Sequence, residues 1–549
     1  MADVTISSLN LATPVAGAVI PFSDGSPATT KKTTLNNILQ NAGNIGIGKA
    51  ASTYILDVNG DSVFNGVRVG IGPGGTGAPS NTNIVVGTNG AFGKNNVAGG
   101  VSPFGIQNVA IGSQAMRENV DGGQCTAVGN QALQLNTSGS QNTAIGNLAS
   151  YANTTGYHNT SVGFRSLGSN TTGWQNVSIG YESLYLNTTG TQNVAAGWNA
   201  LRANTTGNQN TAFGYRSLES NVTGDYNVAE GSFSLSKNIV GSQNTAIGYV
   251  SMTNHTNGGQ NTAIGYSTLA NSLTSTYNFA GGCFAMNSFA TGSANVAIGY
   301  QAMTNSGKTV TAGNFVTGLT YTIVSLGNTD FTLCGAAVGA SVGNTFVATN
   351  AGTGTGTAAA NVDHNVSIGF QSLNTNDSGS RNTAIGFQTL WKNLSGNNNT
   401  ALGYSAGFNH LGSNNTFIGN GSYGNTNNDN NTINLGNGSI TNLRCAVQTI
   451  QALSDLRDKT DIKDLSVGLK FINDLKPKSF TWNTRDGQKI GIKDFGFIAQ
   501  DLIEAEKKNN LKIPNLVSDK NPEKLEASYG ALIPIIIKAI QELSEKINR

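Results

Sequence analysis

The sequence predicts a mainly β protein: a β-solenoid or β-roll shaft of 17-residue repeats, with an inserted small β domain and a C-terminal α+β module. Three observations carry this expectation: a glycine-marked repeat of fixed period, one long break in that period, and an abrupt change of composition near residue 454. Gly takes 71 of 549 positions, only 11% of residues are charged, and 38% are hydrophobic. Regular β-branched and aromatic positions with little net charge fit repetitive β structure rather than disorder.

The motif N-T-A-I-G or a variant places Gly every 17 residues from Gly112 to Gly299, twelve times in all. The register resumes at Gly369, Gly386 and Gly403, slips by one to Gly419 and recovers at Gly436. A period held this strictly implies stacked coils. Within one unit, Asn210-Thr211-Ala212-Phe213 leads into Gly214, where the chain needs positive φ or close backbone approach. Leu218 follows four residues on, and Asn204-Thr205-Thr206-Gly207 has turn chemistry. Each coil is therefore expected to hold two strands and two turns. The Asn column (Asn142, Asn159, Asn176 and onward) reads as a backbone-capping ladder rather than a sugar-binding array, and sequons such as Asn153-Thr154-Thr155 read as turns. Asp225 and Glu230 are the one acidic pair close enough to suggest a glycosidase. They read as a solvated surface pair, and His158 and His255 as surface residues.

Seventy residues separate Gly299 from Gly369, one 17-residue step plus an excursion of 53. Residues 308–360 read as the inserted β domain, with strands around Val310–Phe315, Tyr321–Val324 and Thr345–Thr349. A loop of this size on a rigid shaft is suited to recognition. The solenoid then occupies 106–307 and 361–440, a β neck 41–105, an N-terminal attachment segment 1–40 and a linker 441–453. A net charge of +2 without a Lys/Arg cluster argues against nucleic acid. No run of 18 apolar residues calls for membrane insertion, and Met1–Thr5 does not open a signal peptide, so cytosolic synthesis is expected. Cys125, Cys283, Cys334 and Cys445 lack ligand spacing; they are expected to be buried unpaired thiols, with no metal and no cofactor.

After Leu453 the last 96 residues carry more than half of the chain's 60 charges (31 basic, 29 acidic). Near the end, Ile533, Ile536, Ile540, Leu543 and Ile547 step by three and four, the seam of a coiled-coil helix. Isoleucine at both seam positions favours trimers, whereas the competing reading packs this stripe on the module's own core. Pro534 fits the helix's first turn.

The N-T-A-I-G repeat resembles the heads of trimeric autotransporter adhesins and repeats of phage tail fibres, which implies a β-roll class and three-chain assembly. Leu9–Val15 with Thr29–Leu39 is similar to the start of many tail-fibre proteins, which implies attachment to the virion tail or baseplate. Ser454-Asp455-Leu456-Arg457-Asp458-Lys459-Thr460-Asp461-Ile462 resembles the S-D-x-R-x-K-x-x-I opening of the intramolecular chaperone, auto-processing domain of phage endosialidases. Leu475-Lys476-Pro477, Phe480-Thr481-Trp482, Gly496-Phe497-Ile498-Ala499-Gln500-Asp501 and Tyr529-Gly530-Ala531-Leu532 follow in the family's order. The resemblance implies self-cleavage between Leu453 and Ser454 by a Ser454 nucleophile and a Lys459 base, in an autocatalytic serine endopeptidase with no external substrate. A lysine serves as base only when burial or a nearby cation lowers its pKa; Arg457 would help, while Asp455 and Asp458 would oppose.

The leading expectation is thus a homotrimeric phage tail fibre, assembled in the host cytoplasm and carried on the virion, that contacts a host cell-surface glycan or protein. The alternative is a tailspike depolymerase acting on surface polysaccharide. A third reading, a bacterial surface adhesin, calls for an export signal or anchor.

Overall fold

The computed structural model describes residues 62–64, 67–71, 83–87, 105–444 and 455–548, apart from positions 308, 343, 425, 441–442, 486–489, 520–521 and 524. Contacts divide the chain into Met1–Ser62 and Val63–Arg549, and the described residues belong to the second unit apart from Ser62. The expected attachment segment, most of the neck, nearly all of the linker, Cys445, Leu453 and Ser454 lie outside the described residues.

The protein is mainly β, and its shaft is a solenoid. Strands Val67–Ile71 and Ile84–Gly87 pair antiparallel, and the second passes the ladder in parallel to Val109–Ile111. From there each coil adds one three-residue strand. Thr211–Phe213, for example, pairs in register with Val194–Ala196 below and Val228–Glu230 above. Strand alternation turns the middle residue inward, and it is Ala in most coils because the interior is narrow. Gly214 follows at φ 127°, and a Cβ there would lie 2.8 Å from the carbonyl of Gly231 in the next coil. Both the backbone angle and the stacking distance exclude a side chain.

The second strand expected in each coil does not form. Instead Arg216 (φ 53°) and Leu218 (φ 51°) sit in the left-handed region, as do their counterparts in nearly every coil. This alternation sends successive amides in opposite directions along the shaft: Arg216 N donates to Trp198 O in the coil below, and Leu218 N to Ser234 O in the coil above, both at 2.9 Å. Inter-coil hydrogen bonds therefore continue without a pleated strand, while Leu218 points into the core with no exposed surface.

Two buried asparagine ladders satisfy most of the buried amides of the coils, leaving Asn238 Oδ1, next to the position taken by His255, and Asn393 Oδ1 without a partner. Asn227 donates its backbone N–H to Asn210 Oδ1 (2.9 Å) and its Nδ2 to Gly241 O (2.8 Å). On the other side, Asn221 Nδ2 donates to Asn204 Oδ1 (2.8 Å) and to Gly224 O (3.0 Å). Burying an amide without partners costs free energy, so the ladders are what make a polar interior tolerable. The Asn column is thus structural, and Asn153 of the sequon lies fully buried in the second ladder, between Asn136 and Asn170.

His255 is buried as well, contrary to the surface reading. It stands at an Asn-ladder position, with Nε2 2.8 Å from Gly258 O and Nδ1 3.3 Å from Ser272 Oγ. His158 remains on the surface, bonded to Gln141. Cys125 also takes an Asn position, and its burial raises the thiol pKa to about 11. Cys334 is buried too, whereas Cys283 is only half-buried because it faces outward in the position after the coil Gly.

The excursion forms a four-stranded antiparallel sheet in the order Thr309–Thr311, Thr357–Ala360, Thr320–Ser325, Thr345–Val347. Its core is aromatic, built from Phe315, Tyr321, Phe331 and Phe346. The shaft closes directly beneath it: Val296–Ile298 pairs in parallel with Val366–Ile368, and Asn365 N donates to Asn295 Oδ1 at 2.9 Å. The one-residue slip lies in a turn, where Asn393-Leu394-Ser395-Gly396 is followed one coil on by His410-Leu411-Gly412.

Candidate processing and assembly site

The charged module opens on a tight turn set by its own sequence. Asp455 caps the 3-10 turn Leu456–Asp458, its Oδ1 accepting from Arg457 N at 2.9 Å. The same carboxylate also holds the Arg457 guanidinium, at 3.0 Å to Nε and 2.6 Å to Nη2. That ion pair keeps the Asp455 carboxyl below its usual range. Arg457 is therefore neutralised by Asp455, so its charge does little for a neighbouring lysine. Lys459 follows in extended backbone (φ −128°, ψ 139°) and is exposed. Of the expected dyad, the structure places this one member.

Downstream, three helices and the short hairpin Val517–Ser518/Glu526–Ala527 enclose a small core of Phe471, Leu502, Ala505, Leu516, Val517, Leu532 and Ile535, while the hairpin Lys478–Asn483/Ile490–Gly496 is largely exposed. Helix α1 (Leu469–Asp474) begins at Gly468, where a Cβ would lie 2.5 Å from Glu542 Oε1. Glu542 belongs to the last helix, and its Oε2 accepts from Leu469 N at 2.8 Å. An acidic side chain from the far end of the module thus caps α1 and ties the two ends together. The G-x-x-A-Q block has a comparable reason for its glycine. A Cβ on Gly496 would lie 2.5 Å from the Tyr529 hydroxyl, which accepts from Phe497 N (3.1 Å) and donates to Phe497 O (3.2 Å). Helix α2 (Ala499–Lys508) follows, with Glu506 buried and accepting from Ile513 N at 2.6 Å. Neither Glu542 nor Glu506 stood out in the sequence, because a capping carboxylate looks like any acid on a charged helix.

The closing helix opens on the 3-10 turn Tyr529–Leu532 and continues without a break as α3 (Ile533–Ile547), with Pro534 in its first turn. One side of α3 packs on the module through Ile535 and Ala539, both buried. The seam residues Ile533, Ile536, Ile540, Leu543 and Ile547 lie elsewhere on the helix and are 41 to 75% exposed. The stripe therefore does not pack on the module's own core.

The shaft also carries an apolar column on its surface. Phe164, Tyr181, Trp198 and Tyr215 stand one position after the coil glycines, with ring centroids 4.8 to 5.8 Å apart. The aromatic series continues through Tyr249, Tyr266, Tyr300 and Phe370 to Tyr404. Beside it the third strand residue is outward and apolar in most coils, as at Ile145, Ile179, Phe213 and Ile264.

Among the described residues there is no cluster of metal-binding side chains, and no helix is long and apolar enough to cross a membrane. Residues 454–518 match the family model described as chaperone of endosialidase (Peptidase_S74). The match spans the first four sequence blocks and stops before Tyr529 and α3. With the 17-residue solenoid it fits a tail fibre with a chaperone domain. No curated protein and no solved structure matches the chain.

Proposed function

We propose that the protein is a homotrimeric phage tail fibre whose C-terminal module aligns three chains, cuts itself free at Leu453–Ser454, and leaves a shaft that adsorbs to the host surface. The observation that carries this is the seam of α3: five apolar residues in heptad spacing, exposed on a module that has already buried its own core. Exposed apolar surface of this kind marks an interaction site, and isoleucine seams favour three strands. The aromatic column of the shaft supplies a second apolar surface for the same partners. Alignment is needed because a slip by one 17-residue coil would preserve almost every contact.

In the proposed cleavage, Ser454 Oγ attacks the Leu453 carbonyl carbon as Lys459 takes the hydroxyl proton. The Leu453–Ser454 C–N bond breaks, the amine receives a proton, and an ester remains. Water then opens the ester, giving a Leu453 carboxylate and restoring the Ser454 hydroxyl. Lys459 is exposed in the single chain, so the cover that makes it a base would come from a neighbouring chain; cleavage then waits for assembly. Removing the module afterwards removes the route back through unfolding and makes the shaft kinetically stable. Depolymerase activity has less support, because Asp225 Oδ1 is already bonded to Asn208 N (2.6 Å) and Nδ2 (3.2 Å).

Gel electrophoresis with intact mass and light scattering tests the reading. The expected result is a trimer cut at Leu453, with Ser454→Ala and Lys459→Ala each uncut yet still trimeric. A wild-type monomer, or a Ser454→Ala chain that still splits, would overturn it.

A further inference from the structure

The shaft changes character in its last coils, and the change opens a cleft. In most coils the fourth residue after the Gly is a buried Leu or Met, as at Leu373 and Leu390. The next two coils place Gly407 and Tyr423 there. Phe417 explains the first, since it occupies a strand centre that is elsewhere small and fills the interior. A Cβ on Gly407 would lie 2.7 Å from Leu390 Cδ2 and 2.9 Å from Phe417 Cδ2. With the interior taken, Tyr423 stands outside, 51% exposed. The turn at His410–Gly412 is also one residue shorter than its predecessor. Together these departures leave a cavity of about 410 Å³, lined among others by Gln388, Ser405, Phe408, Asn409, Tyr423 and Asn427.

Its walls are fixed before any ligand arrives. Phe408 stacks on Trp391 with ring centroids 5.0 Å apart and planes 13° from parallel. Asp429 pins the loop that bears Asn427, its Oδ2 accepting from Thr426 N (2.9 Å) and its Oδ1 from Thr426 Oγ1 (2.7 Å). The volume falls in the range of small-molecule sites, roughly 300 to 1,000 Å³. The lining holds no Lys, Arg, Asp or Glu, and burial holds its one histidine, His410, toward the neutral form. An anion would find no cation to offset its desolvation, and a cation no carboxylate among the lining groups. Amides and hydroxyls that both donate and accept, beside aromatic surface, suit a ligand with neutral hydroxyls and an apolar C–H face.

We propose that this cleft at the C-terminal end of the shaft binds a neutral saccharide ring. The proposal deepens the adsorption reading above by giving it a site and a ligand class, and it is tested apart from that reading. Purified full-length protein is titrated calorimetrically with methyl glucoside, methyl galactoside and N-acetylglucosamine, with N-acetylneuraminic acid as the acidic comparator. At least one neutral sugar is expected to bind saturably, with a dissociation constant on the order of 1 mM. Tyr423→Ala and Asn427→Ala, both at exposed positions, should each weaken it at least about tenfold, a loss of roughly 1.4 kcal/mol, at unchanged oligomeric mass. Binding by none of the three sugars, stronger binding of the acidic one, or undiminished binding in both variants overturns the site. Adsorption to cells, measured in parallel, separates the two readings: protein that adsorbs while binding no sugar loses the cleft and keeps adsorption.

Discussion

The shaft and the C-terminal module solve opposite problems with the same chain. A shaft coil completes itself against the coils above and below: its Leu, Ala and Asn columns are buried, and its inner amides are bonded from coil to coil. The module closes a core of few side chains and leaves the α3 seam outside. Repetition thus gives the shaft contacts but little information about register, because neighbouring coils are near copies. The module is unique in sequence and so can specify what repetition cannot.

The largest expected effect breaks the module side of this comparison. The double change Ile536→Asp and Ile540→Asp places charge on the seam without touching the buried face of α3. It should abolish trimer formation, read by light scattering, while helix content by circular dichroism persists in the module. The next effect tests the shaft. Leu218→Ala removes a fully buried side chain from a column with no spare volume and should cost about 2–5 kcal/mol. The equivalent truncation of exposed Leu543 should leave a single chain's thermal unfolding nearly unchanged and weaken only association.

His255 offers a sharper probe of ladder continuity. Burial lowers its pKa from 6.5 to about 4, so the native state holds it neutral while the unfolded chain takes up a proton below 6.5. Its contribution is complete above pH 6.5 and is lost as pH falls toward 4, by up to roughly 3 kcal/mol. His255→Asn restores the ladder residue and should flatten that part of the stability–pH curve in chemical denaturation. The smallest effect concerns glycine. Gly530→Ala meets no atom closer than 4.0 Å and should change the stability measured by chemical denaturation little, whereas Gly214→Ala, at φ 127°, should lower it clearly, by about 1–3 kcal/mol.

Much of the fold was legible because a 17-residue period leaves a mark that needs no propensity argument. Gly214 and its counterparts announced both the turn and the stacking. The missing second strand was not legible: leucine and arginine ordinarily avoid positive φ, and only the inter-coil hydrogen bonds of the stacked array hold Arg216 and Leu218 there. His255 misled for a related reason, since its burial follows from its place in a column rather than from its own chemistry. The candidate site was legible as a linear motif, Ser454 to Ile462. Its geometry was not, since Lys459 stands exposed in one chain and the Asp455 clamp on Arg457 depends on the turn between them.

The inserted sheet leaves and rejoins the shaft at stacked positions, and its first and last strands pair with each other, Thr309 opposite Ala359. The hydrogen bonds that Asn365 donates to Asn295 Oδ1 run as though the 53 residues were absent. The shaft therefore presents a socket: what is mounted there can be exchanged, enlarged or removed as a cassette, provided its two ends meet one strand-width apart, and the column beneath keeps its step.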